Sequence, residues 1–340
     1  MSTSFKPFLA AVMSGRALSA DEMRAAMGAI LSGEASDIEL AGFLAAMRAR
    51  GETVEEIAAA AETMRDHAVS VTVPDNAIDT AGTGGDGADT FNISTAAALI
   101  IAGAGAPVAK HGNKAASSKS GSSEVLEALG VRLDISPAVI ERCISEANIG
   151  FMFAARHHQA VKHAATARKA LGVRTLFNVL GPLCNPGRAK HQLMGVFAPD
   201  LVRPIAEVLQ RLGAVSAWVV HGADGLDELT TTGPTHVAEL KNGVVSEFIV
   251  RPEDAGLKRA TIDELRGGAP AENAQAIRKL LAGESGPFRE IAVLNAAGAL
   301  TAAGVADNIA AGARLAEKSI DSGAALQALQ RLAAISKETP

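Results

Sequence analysis

The sequence contains no tyrosine, a single tryptophan and two cysteines among its 340 residues. With so few large aromatic side chains, a stacking surface for single-stranded nucleic acid is poorly supported. The net charge of −5 also argues against attraction to a phosphate backbone, so we expect no nucleic-acid partner. Cys143 and Cys184 show no Cys-x-x-Cys spacing, which predicts free thiols rather than a zinc or redox centre.

Apolar segments that could enter a membrane are also missing. The longest weakly polar run, from Ala96 to Ala109, is interrupted by glycines and by Pro107, and it is shorter than the roughly 20 residues that a spanning helix needs. The chain starts Met-Ser-Thr-Ser-Phe-Lys, without the basic segment and apolar segment of a secretory signal. We therefore expect a cytoplasmic protein that does not contact a membrane.

The composition is that of a folded globular protein, with 48% hydrophobic and 20% charged residues. The length favours one large domain and one smaller domain. Three S/T-x-x-E capping boxes, which begin at Ser19, Ser36 and Thr53, predict helices near the start of the chain. Residues 1–70 are therefore expected to form a small all-helical domain.

After about residue 71, short β-type runs alternate with helical patterns, which predicts a larger α/β domain over residues 71–340. We expect a central, mostly parallel sheet with functional sites at the strand ends. Residues 157–171 predict one basic helix, and helices from about 157–190 are expected to return to the helical domain. The predicted strands are Ala77–Thr80, Pro107–Lys110, Gly150–Phe153, Met194–Phe197 and Ala217–His221, followed by a β-rich stretch over Val237–Val250.

A glycine-rich stretch from Asp79 to Thr95 is the most informative segment of the chain. It contains neither G-x-x-x-x-G-K-[ST] nor G-x-G-x-x-G, so neither common nucleotide fold is supported. Its glycines let the backbone approach an anion, and Asp86 and two hydroxyls, Ser94 and Thr95, follow where a helix is expected to begin. The pattern predicts a phosphate cradle near a metal ion, with a purely structural turn as the alternative.

Two further loops follow predicted strands. The first runs from Lys110 to Ser122 and combines lysines, hydroxyls and glycines, including Ser117 and Ser118, which is typical of an anion-binding loop. The second contains Asp227 and Glu228, whose adjacent carboxylates repel each other unless a cation such as Mg²⁺ is present. Solvated charged loops are the alternative in both cases. No nucleophile with its general base is evident, which favours metal-assisted electrostatic catalysis.

In this order, the segments closely resemble the anthranilate phosphoribosyltransferase family. The matching motifs are Gly-Thr-Gly-Gly-Asp at 82–86, Asn-Ile-Ser-Thr at 92–95, Lys-His-Gly-Asn at 110–113, Arg-Thr-x-Phe-Asn-x-Leu-Gly-Pro-Leu-x-Asn-Pro at 174–186 and Gly-Leu-Asp-Glu at 225–228. The resemblance covers nearly the whole chain. It implies transfer of the phosphoribosyl group of phosphoribosyl pyrophosphate to anthranilate, with Mg²⁺, by a homodimer joined through its helical domains.

The same resemblance implies three sets of site residues. For phosphoribosyl pyrophosphate it implies Gly82, Gly85, Asp86, Thr90, Asn92, Ser94, Thr95, Lys110 and Ser122. For anthranilate it implies Gly82, Asn113 and Arg168, where the arginine is a suitable partner for a carboxylate. For magnesium, directly or through water, it implies Ser94, Asp227 and Glu228.

Two other functions are consistent with parts of this pattern. A pyrimidine nucleoside phosphorylase shares the Gly-Thr-Gly-Gly-Asp motif more loosely, but the segment at 174–186 and the acidic pair are not expected there. A non-enzymatic relative that binds nucleic acid should have a basic groove and should lose part of the substrate motifs. The acidic net charge and the intact set of Asn113, Arg168, Asp227 and Glu228 argue against it.

Overall fold

A computed structural model describes residues 5–115 and 119–338, so Ser117 and Ser118 of the predicted anion-binding loop lie outside the described residues. The strands are Ile78–Gly82 (β1), Val108–Gly112 (β2), Ile149–Phe153 (β3), His191–Gly195 (β4), Ser216–Gly222 (β5), Thr235–Lys241 (β6) and Val244–Val250 (β7). The first helices are Lys6–Met13 (α1), Ala20–Leu31 (α2), Asp37–Arg50 (α3), Val54–Asp66 (α4), Ile93–Gly103 (α5), Ser122–Ala128 (α6) and Pro137–Ala147 (α7). The later helices are Ala154–His157 (α8), Ala165–Leu171 (α9), Leu176–Leu183 (α10), Val202–Arg211 (α11), Pro270–Leu281 (α12), Pro287–Ala302 (α13), Ile309–Asp321 (α14) and Ala324–Ile335 (α15).

The seven strands form one sheet in the order β3-β2-β1-β4-β5-β6-β7. The pairs from β3 to β5 are parallel, and the pairs β5·β6 and β6·β7 are antiparallel. This confirms the predicted fold class, a small helical part and a larger α/β part with a mostly parallel sheet. The strand order reverses between β1 and β4, and crevices at such a switch point are where open α/β sheets bind ligands.

The three predicted capping boxes are all present at the starts of α2, α3 and α4. In each box the serine or threonine side chain accepts from the backbone of a glutamate three residues later, and that glutamate accepts from the cap backbone. The box at Thr53 is reinforced by burial, because Glu56 is fully buried and also accepts from Leu18 N at 2.8 Å and Arg50 Nη2 at 2.5 Å.

The segment 157–171 does not form the single basic helix that the sequence predicts. It is divided into the end of α8, a 3-10 helix at Gln159–Ala164, and α9. The break follows His158, whose backbone leaves the helical region (φ −114°, ψ 54°) while its ring nitrogen Nε2 bonds to Cys184 O at 2.8 Å. Ala164 and Ala167 pack in the same apolar cluster as α2, α3 and α4, so this segment does contact the N-terminal helices.

The two faces of the sheet bury two different apolar clusters. Trp218 and Val220 of β5 face a cluster that contains α5, α13, α14 and α15. Ala217 and Val219 alternate with them and face a second cluster, which contains α2, α3, α4, α10 and α11. The helical part of the chain is therefore packed on one face of the sheet through a continuous apolar cluster.

The predicted strands are all present, with bounds that shift by up to three residues. The fourth predicted strand, Met194–Phe197, begins three residues earlier and ends two residues earlier, at His191–Gly195. The β-rich stretch is a hairpin, β6 and β7, whose turn residues Asn242 and Gly243 both have positive φ. In the described ranges, no helix is long and apolar enough to cross a membrane.

Candidate active site

The site is built where the loop after β5 packs directly on β1 and β4. A β-carbon added to Gly82, the last residue of β1, would lie 2.3 Å from Asp227 Oδ2, and one added to Gly195, the last residue of β4, would lie 1.5 Å from Asp227 O. Both strands must therefore end in glycine for Asp227 to reach its position. The sequence interpretation gave Gly82 a role toward substrates, whereas its closest constraint in the fold is this acidic residue.

The glycine turn after β1 is fixed to the acidic loop by a backbone hydrogen bond. Gly84 and Gly85 have φ of +65° and +76°, which side chains rarely adopt. Gly84 N donates to Asp227 Oδ2 at 2.6 Å. Thr83 N donates to Gly195 O at 3.0 Å, so the turn is held from two neighbouring segments.

The charge of Asp86 acts on both carboxyl groups of the acidic pair, Asp227 and Glu228, in this crevice. Burial, followed by the charge of Asp86, raises the pKa of Asp227 to about 7. Desolvation and the neighbouring Asp227 raise the pKa of Glu228 well above its ordinary value, although Ser94 N donates to its Oε1 at 3.2 Å. Carboxylates held together at this cost are a suitable donor set for a hard divalent cation.

The donor set also fits the way in which Mg²⁺ is usually held. In the described part of the chain, no group of three or more His, Cys, Asp or Glu side chains is arranged as a metal cage. Mg²⁺ is generally bound by one or two carboxylates together with substrate phosphates and water, not by a complete protein cage. Asp227, Glu228 and the Ser94 hydroxyl match this partial set.

Lys110, predicted to contact the donor, lies behind Ser94 rather than at the surface of the crevice. It is buried in β2, and its ammonium donates to Thr80 O at 2.5 Å and lies 3.4 Å from Ser94 Oγ. Burial lowers the pKa of Lys110, whereas the charges of Asp79 and Glu228 oppose this shift. The charge of Lys110 therefore lies one side chain away from the crevice, behind Ser94.

Asn92, Ser94 and Thr95 lie at the start of α5, where the sequence predicts a helix N-terminus. The Asn92 amide joins three segments, since it donates to Ser120 O and accepts from Ser120 Oγ and Asn273 Nδ2. Thr95 is buried, and its hydroxyl has no hydrogen-bond partner in the described residues. Thr90 lies before them and forms an isolated bridge with Arg266.

The structure places the remaining predicted residues on two other segments, the loop after β2 and helix α9. Asn113 follows β2 and is exposed, and its carbonyl accepts from Ser122 Oγ at 3.2 Å, at the start of α6. Arg168 of α9 is half-buried, and its guanidinium lies 5.0 Å from the centre of the Phe177 ring. Desolvation lowers the pKa of Arg168, which has an aromatic neighbour but no carboxylate within ion-pair distance among the described residues.

Sequence reasoning missed three side chains that shape the site. Asn295 of α13 is fully buried and binds both backbone groups of Leu229, accepting from N at 2.9 Å and donating to O at 2.8 Å. Asp224 accepts from Thr230 Oγ1 and Thr232 Oγ1 at 2.6 and 2.7 Å. Arg174 donates to Gly85 O. Only Arg174 lies in a motif that could have indicated it; Asn295 is an asparagine in an otherwise apolar helical pattern.

Comparison with known proteins identifies the family to which this chain belongs. Residues 74–326 match the family model "Glycosyl transferase family, a/b domain", and residues 6–68 match "Glycosyl transferase family, helical bundle domain". Anthranilate phosphoribosyltransferase of Parvibaculum lavamentivorans is 58% identical over 98% of this chain and 97% of its own length. This chain belongs to the anthranilate phosphoribosyltransferase family.

Solved structures of anthranilate phosphoribosyltransferases have the same fold. The enzyme of Thermus thermophilus superposes with a TM-score of 0.93 at 42% identity, over 97% of this chain and 99% of that one. The enzyme of Saccharomyces cerevisiae in complex with PRPP and Mg superposes with a TM-score of 0.90 at 28% identity, over 98% and 97% of the two chains.

Proposed function

We propose that this chain transfers the phosphoribosyl group of phosphoribosyl pyrophosphate to the amine of anthranilate, a step of tryptophan biosynthesis. The observation that carries the proposal is the packing of Asp227 on Gly82 and Gly195, which joins an acidic pair to a glycine turn at the switch point of the sheet. The named relatives support the same reaction. Neither a nucleoside phosphorylase nor a nucleic-acid-binding relative is favoured.

The donor is proposed to lie along the glycine turn and the start of α5. Backbone N–H groups of the turn and the helix N-terminus favour negative charge there. We assign this role to Gly82, Gly85, Asp86, Thr90, Asn92, Ser94, Thr95 and Ser122, with Lys110 acting from behind Ser94. The yeast relative bound to PRPP and Mg supports a donor site in this fold.

Magnesium is proposed to bind at Ser94, Asp227 and Glu228. When bound, it would neutralise charge on the pyrophosphate leaving group. The protein holds this donor set in place through Gly84 N on Asp227 and Ser94 N on Glu228.

Anthranilate is proposed to bind between Arg168, Asn113 and Gly82. The half-buried Arg168 supplies a charge-assisted hydrogen bond for its carboxylate, and Phe177 fixes the guanidinium from one side. An aryl amine is neutral near pH 7 and can attack C1 of the ribose without a strong base. The bond from C1 to pyrophosphate breaks, the new C–N bond forms, and the amine then loses a proton to solvent. Orientation and stabilisation of the leaving group are therefore the main contributions of the protein.

The test follows the fluorescence of anthranilate after phosphoribosyl pyrophosphate and MgCl₂ are added to the folded protein. We expect the fluorescence to decrease only when the protein, phosphoribosyl pyrophosphate and MgCl₂ are all present. Folded protein that consumes no anthranilate would reject the proposed reaction. Consumption of a pyrimidine nucleoside with inorganic phosphate would support the phosphorylase instead.

We also propose a homodimer that forms through the helical part of the chain and works in the cytoplasm. Met13 at the end of α1 and Ile38 at the start of α3 are 71% and 86% exposed, the highest values among the large apolar side chains of the described residues. Light scattering should give twice the 34.7 kDa mass of one chain. The pair of changes Met13→Glu and Ile38→Glu should halve it, whereas Val305→Glu, an exposed position in another part of the fold, should not. A monomeric wild type would contradict the proposal.

A further inference from the structure

Arg174 lies between the segment that carries Arg168 and the glycine turn. It follows α9 and precedes α10, so it belongs to the chain segment that packs on the N-terminal helices. Its side chain leaves that segment and donates from Nη2 to the carbonyl of Gly85. One exposed side chain thus joins the proposed anthranilate side of the crevice to the proposed donor side.

The Phe197 ring orients the Arg174 guanidinium in its contact with Gly85. The Arg174 guanidinium lies 4.2 Å from the centre of the Phe197 ring, close enough for a cation–π interaction. Phe197 N in turn donates to Thr83 Oγ1 at 3.0 Å, in the same turn that contains Gly85. Arg174 therefore contacts the glycine turn once directly and once through Phe197.

The segment that follows Arg174 contacts Arg168. Phe177, the ring against which Arg168 lies, is three residues after Arg174 and belongs to the first turn of α10. Thr175, the residue between them that caps α10, has its backbone N–H bound to Asn178 Oδ1 at 2.9 Å. A displacement of Arg168 and Phe177 on binding anthranilate would be transmitted to Arg174 through this short, capped segment.

We infer that Arg174 is a positioning residue that couples the two substrate sites, so that a ligand on the glycine turn and anthranilate at Arg168 strengthen each other's binding. The inference rests on the proposed function, because it uses the proposed place of each substrate. Coupling of this kind is reciprocal and typically changes affinity by about 5- to 150-fold. Arg174 contacts the turn through the carbonyl of Gly85, so its proposed effect is on the geometry of the turn.

The coupling can be measured at equilibrium with a donor fragment that cannot react. Anthranilate is titrated onto the protein by fluorescence anisotropy, with and without magnesium pyrophosphate, and the ratio of the two dissociation constants is the coupling factor. For the wild type we expect a factor of about 5 or more. Arg174→Ala should bring the factor close to 1 while the affinity for anthranilate alone changes by less than about twofold, as an exposed contact to the other site predicts.

Three further variants separate coupling from general damage. Arg174→Lys retains a hydrogen-bond donor for Gly85 but not the planar group over Phe197, and should keep part of the factor. Phe197→Leu should lower the factor in the same direction. Arg203→Ala removes another exposed arginine, on α11, whose partners are Glu207 and Glu247, and should leave the factor unchanged.

The outcomes distinguish a failure of the coupling from a failure of the proposed function. A wild-type factor near 1, or an undiminished factor in Arg174→Ala, overturns the coupling, while turnover in the fluorescence assay leaves the proposed function standing. A wild type that binds neither ligand and consumes no anthranilate overturns both. Equal losses of anthranilate affinity with and without pyrophosphate would assign Arg174 to the acceptor site alone and also reject the coupling.

Discussion

The α-carbon of Gly195 faces the carbonyl oxygen of Asp227 so closely that a β-carbon would lie 1.5 Å from that oxygen. We expect Gly195→Ala to displace the acidic loop. Overpacking of this kind costs about 1–3 kcal/mol of stability, and a misplacement of about 1 Å at a reacting site can cost about 100-fold in rate. Urea unfolding and the anthranilate assay measure the two effects. Gly28→Ala on α2 is the control, because a β-carbon added there meets no heavy atom within 4 Å apart from the backbone of its own helix, and it should leave turnover unchanged.

The acidic pair should control the response to magnesium. In the double variant Asp227→Asn with Glu228→Gln, we expect the concentration of MgCl₂ for half-maximal turnover to rise by more than about tenfold, with a lower maximal rate. The free energy of unfolding should change little. The variant loses hydrogen bonds, but it also removes two poorly solvated charges that repel each other, and the two effects offset. Glu253→Gln with Asp254→Asn alters an adjacent acidic pair outside the site and should leave the magnesium response unchanged. Wild-type rates in the first variant would reject the metal assignment.

Arg168 should contribute to anthranilate binding more than to donor binding. A hydrogen bond to a charged group is worth about 1.5–3 kcal/mol, so Arg168→Ala should raise the Michaelis constant for anthranilate by about 10- to 100-fold. The constant for phosphoribosyl pyrophosphate should change much less. Arg168→Lys should recover part of the loss, since it keeps the charge. An unchanged anthranilate constant in Arg168→Ala would show that the carboxylate binds elsewhere.

Glu56 should make the helical part of the chain sensitive to acid. Burial opposes ionisation, but the hydrogen bonds from Arg50, Leu18 N and Thr53 outweigh it and lower the pKa of Glu56. A carboxyl with a lowered pKa stabilises the fold above its unfolded value of about 4.3, and this stabilisation is lost as the pH falls through the folded-state pKa. Glu56→Gln should therefore cost about 3–5 kcal/mol at pH 7, and the difference from the wild type should shrink in acid.

Urea unfolding at several pH values tests this expectation. The neighbouring Glu55 is exposed, so Glu55→Gln should stay within about 0.5 kcal/mol of the wild type at every pH. A constant difference between the wild type and Glu56→Gln down to the acid transition would show that the charge of Glu56 does not contribute.

Local patterns predicted local structure well. The capping boxes at Ser19, Ser36 and Thr53 correctly predicted the starts of α2, α3 and α4. The hairpin between β6 and β7 could have been predicted as well, since Asn242-Gly243 is a characteristic two-residue turn. These features depend on contacts between residues close in the chain, which a sequence displays directly.

The sequence indicated candidate site residues but not the contacts that hold them in place. The sequence indicated a glycine turn and an acidic pair separately, and the resemblance placed both in one site. The close packing of Asp227 on Gly82 joins residues that are 145 positions apart in the chain. The hydrogen bonds between Asn295 and Leu229 join residues that are 66 positions apart. The prediction of one helix over residues 157–171 was wrong for the same reason, because His158, where the helix breaks, bonds to the distant carbonyl of Cys184.

The apolar cluster that runs from α2, α3 and α4 through α10 and α11 to the sheet has a consequence for how the chain folds. Residues 6–68 and 74–326 match separate family models, yet the first segment covers apolar side chains of the second. A fragment that begins at residue 71 would leave this face of the sheet open to water and prone to association. The two segments match separate family models but share one apolar cluster, so we expect thermal unfolding of the chain to show a single transition.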